Sequence, residues 1–179
     1  MHSSLTSMVA AACLLVASPT TPAASQTSSL TFEGGASRIV ETHADWQVDC
    51  RIIENRKICA VTQSRFEAGT GERLVMIELQ ATPDGQARGG ILLPADLKPA
   101  SGVRAALDGK ASEQSLTVGE CTKRGCAVIL NFAQPALRKL RDGKVLAFQA
   151  IGNDGQPRTY GVGLRGFASA IDRSIVLAR

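Results

Sequence analysis

A chain of 179 residues, 44% hydrophobic and 20% charged, has the length of one domain and the composition of a folded protein, which excludes wholesale disorder. Aromatic residues make up only 4%, which disfavours sugar-stacking and single-stranded nucleic-acid sites built on rings. The net charge of +4 is unevenly spread: residues 24–97 carry seven Lys/Arg against ten Asp/Glu, and residues 98–179 carry thirteen against six.

The chain opens with a ten-residue apolar run at 8–17, followed by small and turn-forming residues. A bilayer span needs about 20 apolar residues, so this run fits a secretory signal peptide over residues 1–25, cleaved after Ala23 or Ser25. The segment before it lacks Lys and Arg. Acylation at Cys13 is the alternative, although the apolar run continues past that cysteine. Cleavage leaves four cysteines, and an even count in an exported chain argues for two disulfides. No later run has membrane-spanning length, so the processed chain is expected to carry no transmembrane span.

Residues 26–43 are rich in Ser, Thr and Gly and read as a flexible lead-in, with Ile39 and Val40 available for an edge strand. Residues 44–179 form the expected domain. Residues 46–63 read as a hairpin whose two-residue loop is Glu54-Asn55. That loop sets Cys50 opposite Cys59 at a non-hydrogen-bonded pair, where Cα atoms lie roughly 4.5 Å apart, within reach of a disulfide. Residues 73–82 alternate as a strand and end at the Pro83-Asp84-Gly85 turn. Residues 90–93 and 103–107 are short apolar runs near Pro94 and Pro99, better suited to edges or connections.

Residues 115–121 and 126–132 read as a second hairpin, with Lys123-Arg124 as its loop and Cys121 opposite Cys126. Residues 134–141 form a short helix, with Pro135 in the first turn and Gly143 beyond the end. Strands follow at 145–151 and 159–164, with Asp154-Gly155 at the tip between them. The terminal stretch places Phe167, Ala170, Ile171, Ser174, Ile175 and Ala178 at helical spacing, an amphipathic helix. Seven to nine strands with few helices predict a mainly all-β, antiparallel sandwich or barrel.

Chemistry-bearing patterns are sparse. The cysteine spacings, C-x8-C and C-x4-C, lack the two matched pairs of a zinc site and the C-x-x-C of a thioredoxin-type centre. A thiol oxidoreductase working through Cys121 and Cys126 is the enzymatic alternative. Gly161 to Gly166 match G-x-G-x-x-G, but only 13 residues follow, too few for a second parallel strand and a ribose-binding acid. The match reads as a strand-to-helix turn that needs glycine for close packing. His43 is the only histidine left after cleavage, and no G-x-S-x-G accompanies it. No catalytic residue, metal site or cofactor-binding motif is assigned. Lys123, Arg124, Arg138, Lys139, Arg141 and Lys144 are the densest basic points and the candidate contacts to an anionic surface.

The ordered set Asp45-Trp46-x-x-x-Cys50, Cys59, Leu93-Pro94, Gly102-Val103, Asp108-Gly109, Cys121-x3-Gly125-Cys126, Leu137/Leu140 and Leu164-Arg165-Gly166-Phe167-x-x-Ala170 resembles the invasion-associated locus B family. The resemblance covers residues 45–177. Asp96 departs from it, where a small or apolar residue is usual, as does Leu116, where an aromatic is common. It implies a small exported bacterial protein with an immunoglobulin-like β-sandwich, some of whose relatives in pathogens are linked to host-cell invasion. The family defines no catalytic residues. The expectation is therefore a disulfide-stabilised protein of the periplasm, outer-membrane associated or secreted, that acts by binding. Its partner would be a protein or an anionic envelope or host surface, not nucleic acid; an accessory subunit of an envelope complex is the variant of this reading.

Overall fold

The computed structural model describes residues 30–179. The expected signal peptide, Cys13 and the start of the lead-in lie outside the described residues. Five strands run first: β1 (Arg38–His43), β2 (Trp46–Ile53), β3 (Arg56–Phe66), β4 (Arg73–Ala81) and β5 (Ala87–Leu93). Then come β6 (Val103–Leu107), β7 (Lys110–Leu116), β8 (Val118–Thr122) and β9 (Gly125–Phe132). Helix α1 (Gln134–Asp142), β10 (Val145–Ile151), β11 (Pro157–Gly163) and helix α2 (Phe167–Leu177) complete the chain.

All strand pairings among the described residues are antiparallel. A seven-stranded sheet has the order β1-β2-β3-β4-β5-β9-β8, and a four-stranded sheet the order β11-β10-β6-β7. Alternation builds the large sheet's inner face: Trp46, Val48 and Cys50 of β2 are buried, as are Val75, Ile77 and Leu79 of β4 and Cys126, Val128 and Leu130 of β9. The small sheet turns Val103, Leu146, Phe148, Ala150 and Val162 toward the same core. Helix α2 packs on β2 and β3; the small sheet covers the remainder, with β11 beside β3 and β4, and β7 beside β9. The expected antiparallel sandwich is therefore present, with part of its second layer supplied by a helix.

The hairpin registers follow from the turns. Glu54 and Asn55 have φ of 49° and 56°, the left-handed pair of a type I′ turn, and Cys50 stands opposite Cys59. Asp108 and Gly109 repeat that geometry between β6 and β7. Helix α2 buries Phe167, Ala170, Ile171 and Ser174, as the helical spacing requires, while Ile175 is only partly buried.

Several expectations are corrected. The described part of the lead-in is ordered: Phe32 is buried beside a 3-10 turn at Glu33–Gly35, while the edge strand available at Ile39 and Val40 forms as β1 over its last six residues. Neither β5 nor β6 is an edge or connection, since each lies between two neighbours; Pro94 and Pro99 fall outside the strands and cost the ladders no donor. Residues 115–121 are not one strand. The chain passes from the small sheet to the large one at Thr117, between β7 and β8. Strand β7 is exposed at every position except its last, Leu116, so it carries no alternation to read.

Candidate functional site

In α1, Leu137 and Leu140 are buried, which turns Arg138 and Lys139 outward on the opposite face. Arg141 is only partly exposed and donates to Asp172 Oδ2 of α2 at 2.7 Å, so its charge is matched within the fold. Directly after the helix, the backbone N–H groups of Lys144 and Val145 donate to Asp108 Oδ1 at 3.0 and 2.9 Å. These two donors, with Lys144 and Lys110 nearby, hold the Asp108 carboxyl below its ordinary range. The same bonds clamp the β6–β7 tip against the exit of α1 and bring Lys110 into the group. Lys110, Arg138, Lys139 and Lys144 thus lie on the β6–β7 tip, on α1 or directly after it, with Asp108 engaged by backbone donors.

Lys123 and Arg124 sit at the β8–β9 tip, the other end of β9 from α1. At about 3.3 Å per residue, that strand sets the two groups on the order of 25 Å apart. The Arg124 carbonyl accepts a 2.9 Å bond from Arg73, so the tip gains a further cation. The six expected contact residues therefore divide into Arg138, Lys139 and Lys144 at one end, Lys123 and Arg124 at the other, and Arg141 in an internal ion pair. Lys110 was missed by sequence reasoning. The Asp-Gly at 108–109 could have signalled the hairpin that delivers it.

The cysteines pair as the registers require, Cys50 with Cys59 and Cys121 with Cys126, each with Cα atoms 4.0 Å apart. The first bridge is buried at both residues, whereas Cys121 is exposed on the edge strand β8. Among the described residues no group of three or more His, Cys, Asp or Glu is placed to hold a metal ion.

His43 lies with Nδ1 3.2 Å from Ser169 Oγ and Nε2 3.4 Å from Glu41 Oε2, an order of groups that resembles a nucleophile, base and acid. Its hydrogen bonds give it another role. Ser169 Oγ donates to the Gly166 carbonyl at 3.0 Å, so its proton is directed away from the imidazole. Glu41 receives Arg173 Nε and Nη2 at 2.7–3.1 Å, and Arg173 is the main cause of its lowered pKa. The cluster ties β1 to α2. Gly166 itself has φ +86°, and a Cβ there would meet the His43 carbonyl oxygen, so the G-x-G-x-x-G stretch is the tight strand-to-helix turn expected of it. Asp96, the departure in the loop after β5, accepts an ion pair from Arg158 at 3.1 Å.

The comparisons with known proteins agree with this geometry. The family model described as "Invasion associated locus B (IalB) protein" matches residues 46–174. An "Invasion protein B homolog" of Brucella abortus is 30% identical over 147 residues, covering 82% of this chain and 84% of the relative. The "Invasion protein B" of Bartonella bacilliformis is 30% identical over 157 residues, covering 85% and 83%. The crystal structure of invasion associated protein B from Bartonella henselae superposes with a TM-score of 0.72 at 25% identity, covering 78% of this chain and 96% of that one. The matched span takes in both disulfides and reaches into α2, and on this evidence the chain belongs to the invasion associated locus B family.

Proposed function

We propose that the protein is exported to the bacterial envelope and acts there by binding, not by catalysis, presenting its α1 end to an anionic surface. The observation that carries this reading is the set Lys110, Arg138, Lys139 and Lys144. Among the described residues, none of the four forms an ion pair, whereas the nearby Arg141 does. Cations left unmatched on one end attract an extended anionic partner from a distance and confer little on the fold. The names of the Brucella and Bartonella relatives fit a role at the surface met during host-cell invasion. Two disulfides, one buried at both residues, suit an oxidising compartment.

Retention on phosphatidylglycerol vesicles tests the reading. The processed protein should bind at 0.05 M salt and be released well before 1 M, as the screening length falls from above 10 Å to about 3 Å. Replacing Lys110, Arg138, Lys139 and Lys144 together by Ser should weaken retention at least tenfold with little change in Tm. A Lys123→Ser/Arg124→Ser variant should bind like the parent. Equal binding by the fourfold variant, or equal binding to neutral phosphatidylcholine, would overturn the assignment. Export is tested separately by intact mass from the native host, which should place the N-terminus between residues 19 and 27; a retained Met1 contradicts it.

A further inference from the structure

The second layer of the sandwich leaves one side unsealed. Helix α2 closes the layer beside β2 and β3, but at the far side the exposed edge strand β7 lies over β9, with α1 covering only one end. Between them is a cleft of about 480 Å³, in the range of small-molecule sites. Its apolar walls come from Leu107, Leu116 and Leu146 of the small sheet on one side and Leu130, Phe132 and Leu140 of β9 and α1 on the other. Leu107, Leu116 and Phe132 are only partly buried, so the apolar wall reaches solvent instead of being filled.

The charged groups that line this cleft are Lys110, from β7, and Lys139, from α1, both exposed. Among the described residues no carboxylate lines the cleft; the other polar members are neutral Ser112, Gln114 and Asn131. An apolar trough whose charges, among the described residues, are two ammonium groups selects an apolar body with a negative head. We propose that the cleft binds a free single-chain anionic amphiphile of the fatty-acid type, its alkyl chain between β7 and β9 and its carboxylate between Lys110 and Lys139. The volume suits one chain, and a free chain need not be drawn out of a bilayer. The inference uses two cations of the proposed anionic-surface site but requires no surface, so either can fail alone.

The test is titration of the processed protein with decanoate, below its micellar range and without vesicles, by calorimetry. Saturable one-to-one binding is expected, at least tenfold tighter than for butyrate, which lacks the chain, and for decyltrimethylammonium, which reverses the head charge. Ser112→Trp and Ala136→Trp place a large ring at exposed lining positions. Each should reduce decanoate binding at least tenfold while leaving vesicle retention unchanged. A Lys110→Glu/Lys139→Glu variant should invert the preference toward decyltrimethylammonium, a gain that misfolding cannot produce. Absence of saturable decanoate binding, indifference to head charge, or full binding by both Trp variants would overturn the proposal.

Discussion

The indole Nε1 of Trp46 donates a 2.8 Å hydrogen bond to the carbonyl oxygen of Gly163, 117 residues further along the chain. It joins the start of β2 in the large sheet to the end of β11 in the small one. Gln63 Nε2 donates to the same oxygen at 3.0 Å and to the Asp45 carbonyl at 3.1 Å. The Trp46 ring also packs on Phe167 of α2, with centroids 4.8 Å apart. One side chain, 1% exposed, therefore meets both sheets and the terminal helix. Trp46→Phe should remove the donor and part of the ring while Gly163 keeps Gln63. The expected loss is about 2 kcal/mol in urea unfolding, from one hydrogen bond and a small cavity. An unchanged midpoint would show that this contact does not hold the layers together.

Gly166 and Gly109 share a left-handed backbone, with φ of +86° and +80°, but differ in surroundings. A Cβ at Gly166 would collide with the His43 carbonyl, whereas at Gly109 nothing lies within 4 Å. Gly109→Ala should cost only the conformational strain, about 1 kcal/mol. Gly166→Ala must also push β1 away from α2, so at least about 3 kcal/mol is expected, or failure to fold. Thermal unfolding of the pair measures the difference; equal losses would assign everything to backbone strain.

Arg38 and Arg51 stand directly opposite each other on β1 and β2, a repulsive pair that Asp49 bridges with bonds to both guanidinium groups at 2.7–3.2 Å. Those hydrogen bonds, Arg38 first and Arg51 next, hold its carboxyl far below the ordinary range. A depressed folded-state pKa gives stability that is complete above the unfolded value of about 3.9 and is lost as pH falls toward the folded one. The parent should therefore exceed Asp49→Asn by a constant margin from pH 5 to 7, and the margin should narrow below about pH 4 as Asp49 is protonated. Salt should reduce it, because both arginines are exposed. Stability curves against pH check this, and a margin that widens in acid contradicts it.

The two bridges should differ in reactivity. Mild reduction followed by alkylation should label Cys121 and Cys126 first, since Cys121 is exposed on an edge strand, and leave Cys50 and Cys59 protected until global unfolding. Replacing Cys121 and Cys126 by Ser should cost about 2 kcal/mol, the chain-entropy value for so short a loop. Peptide mapping reads the order of labelling. Simultaneous labelling of all four cysteines would mean that burial does not protect the first bridge.

Much of this fold is local, and the local part was legible in the residues. A two-residue loop fixes register, so Glu54-Asn55 and Lys123-Arg124 placed each cysteine opposite its partner without knowledge of the sheets. Helical spacing likewise identified the buried stripe from Phe167 to Ser174. Tertiary structure decided what depends on distant pairing. The run at 90–93 gave no sign that its strand lies between β4 and β9, because a central place is conferred by neighbours that arrive later in sequence. Strand β7 has no buried alternation because only its last residue reaches the core, and its pairing to β6 defines it. Lys110 and Lys139 lie 29 positions apart in the sequence. Their meeting on one cleft follows from a hairpin tip clamped by Asp108 and a helix anchored by Leu137 and Leu140, a convergence that charge and spacing along the chain do not encode.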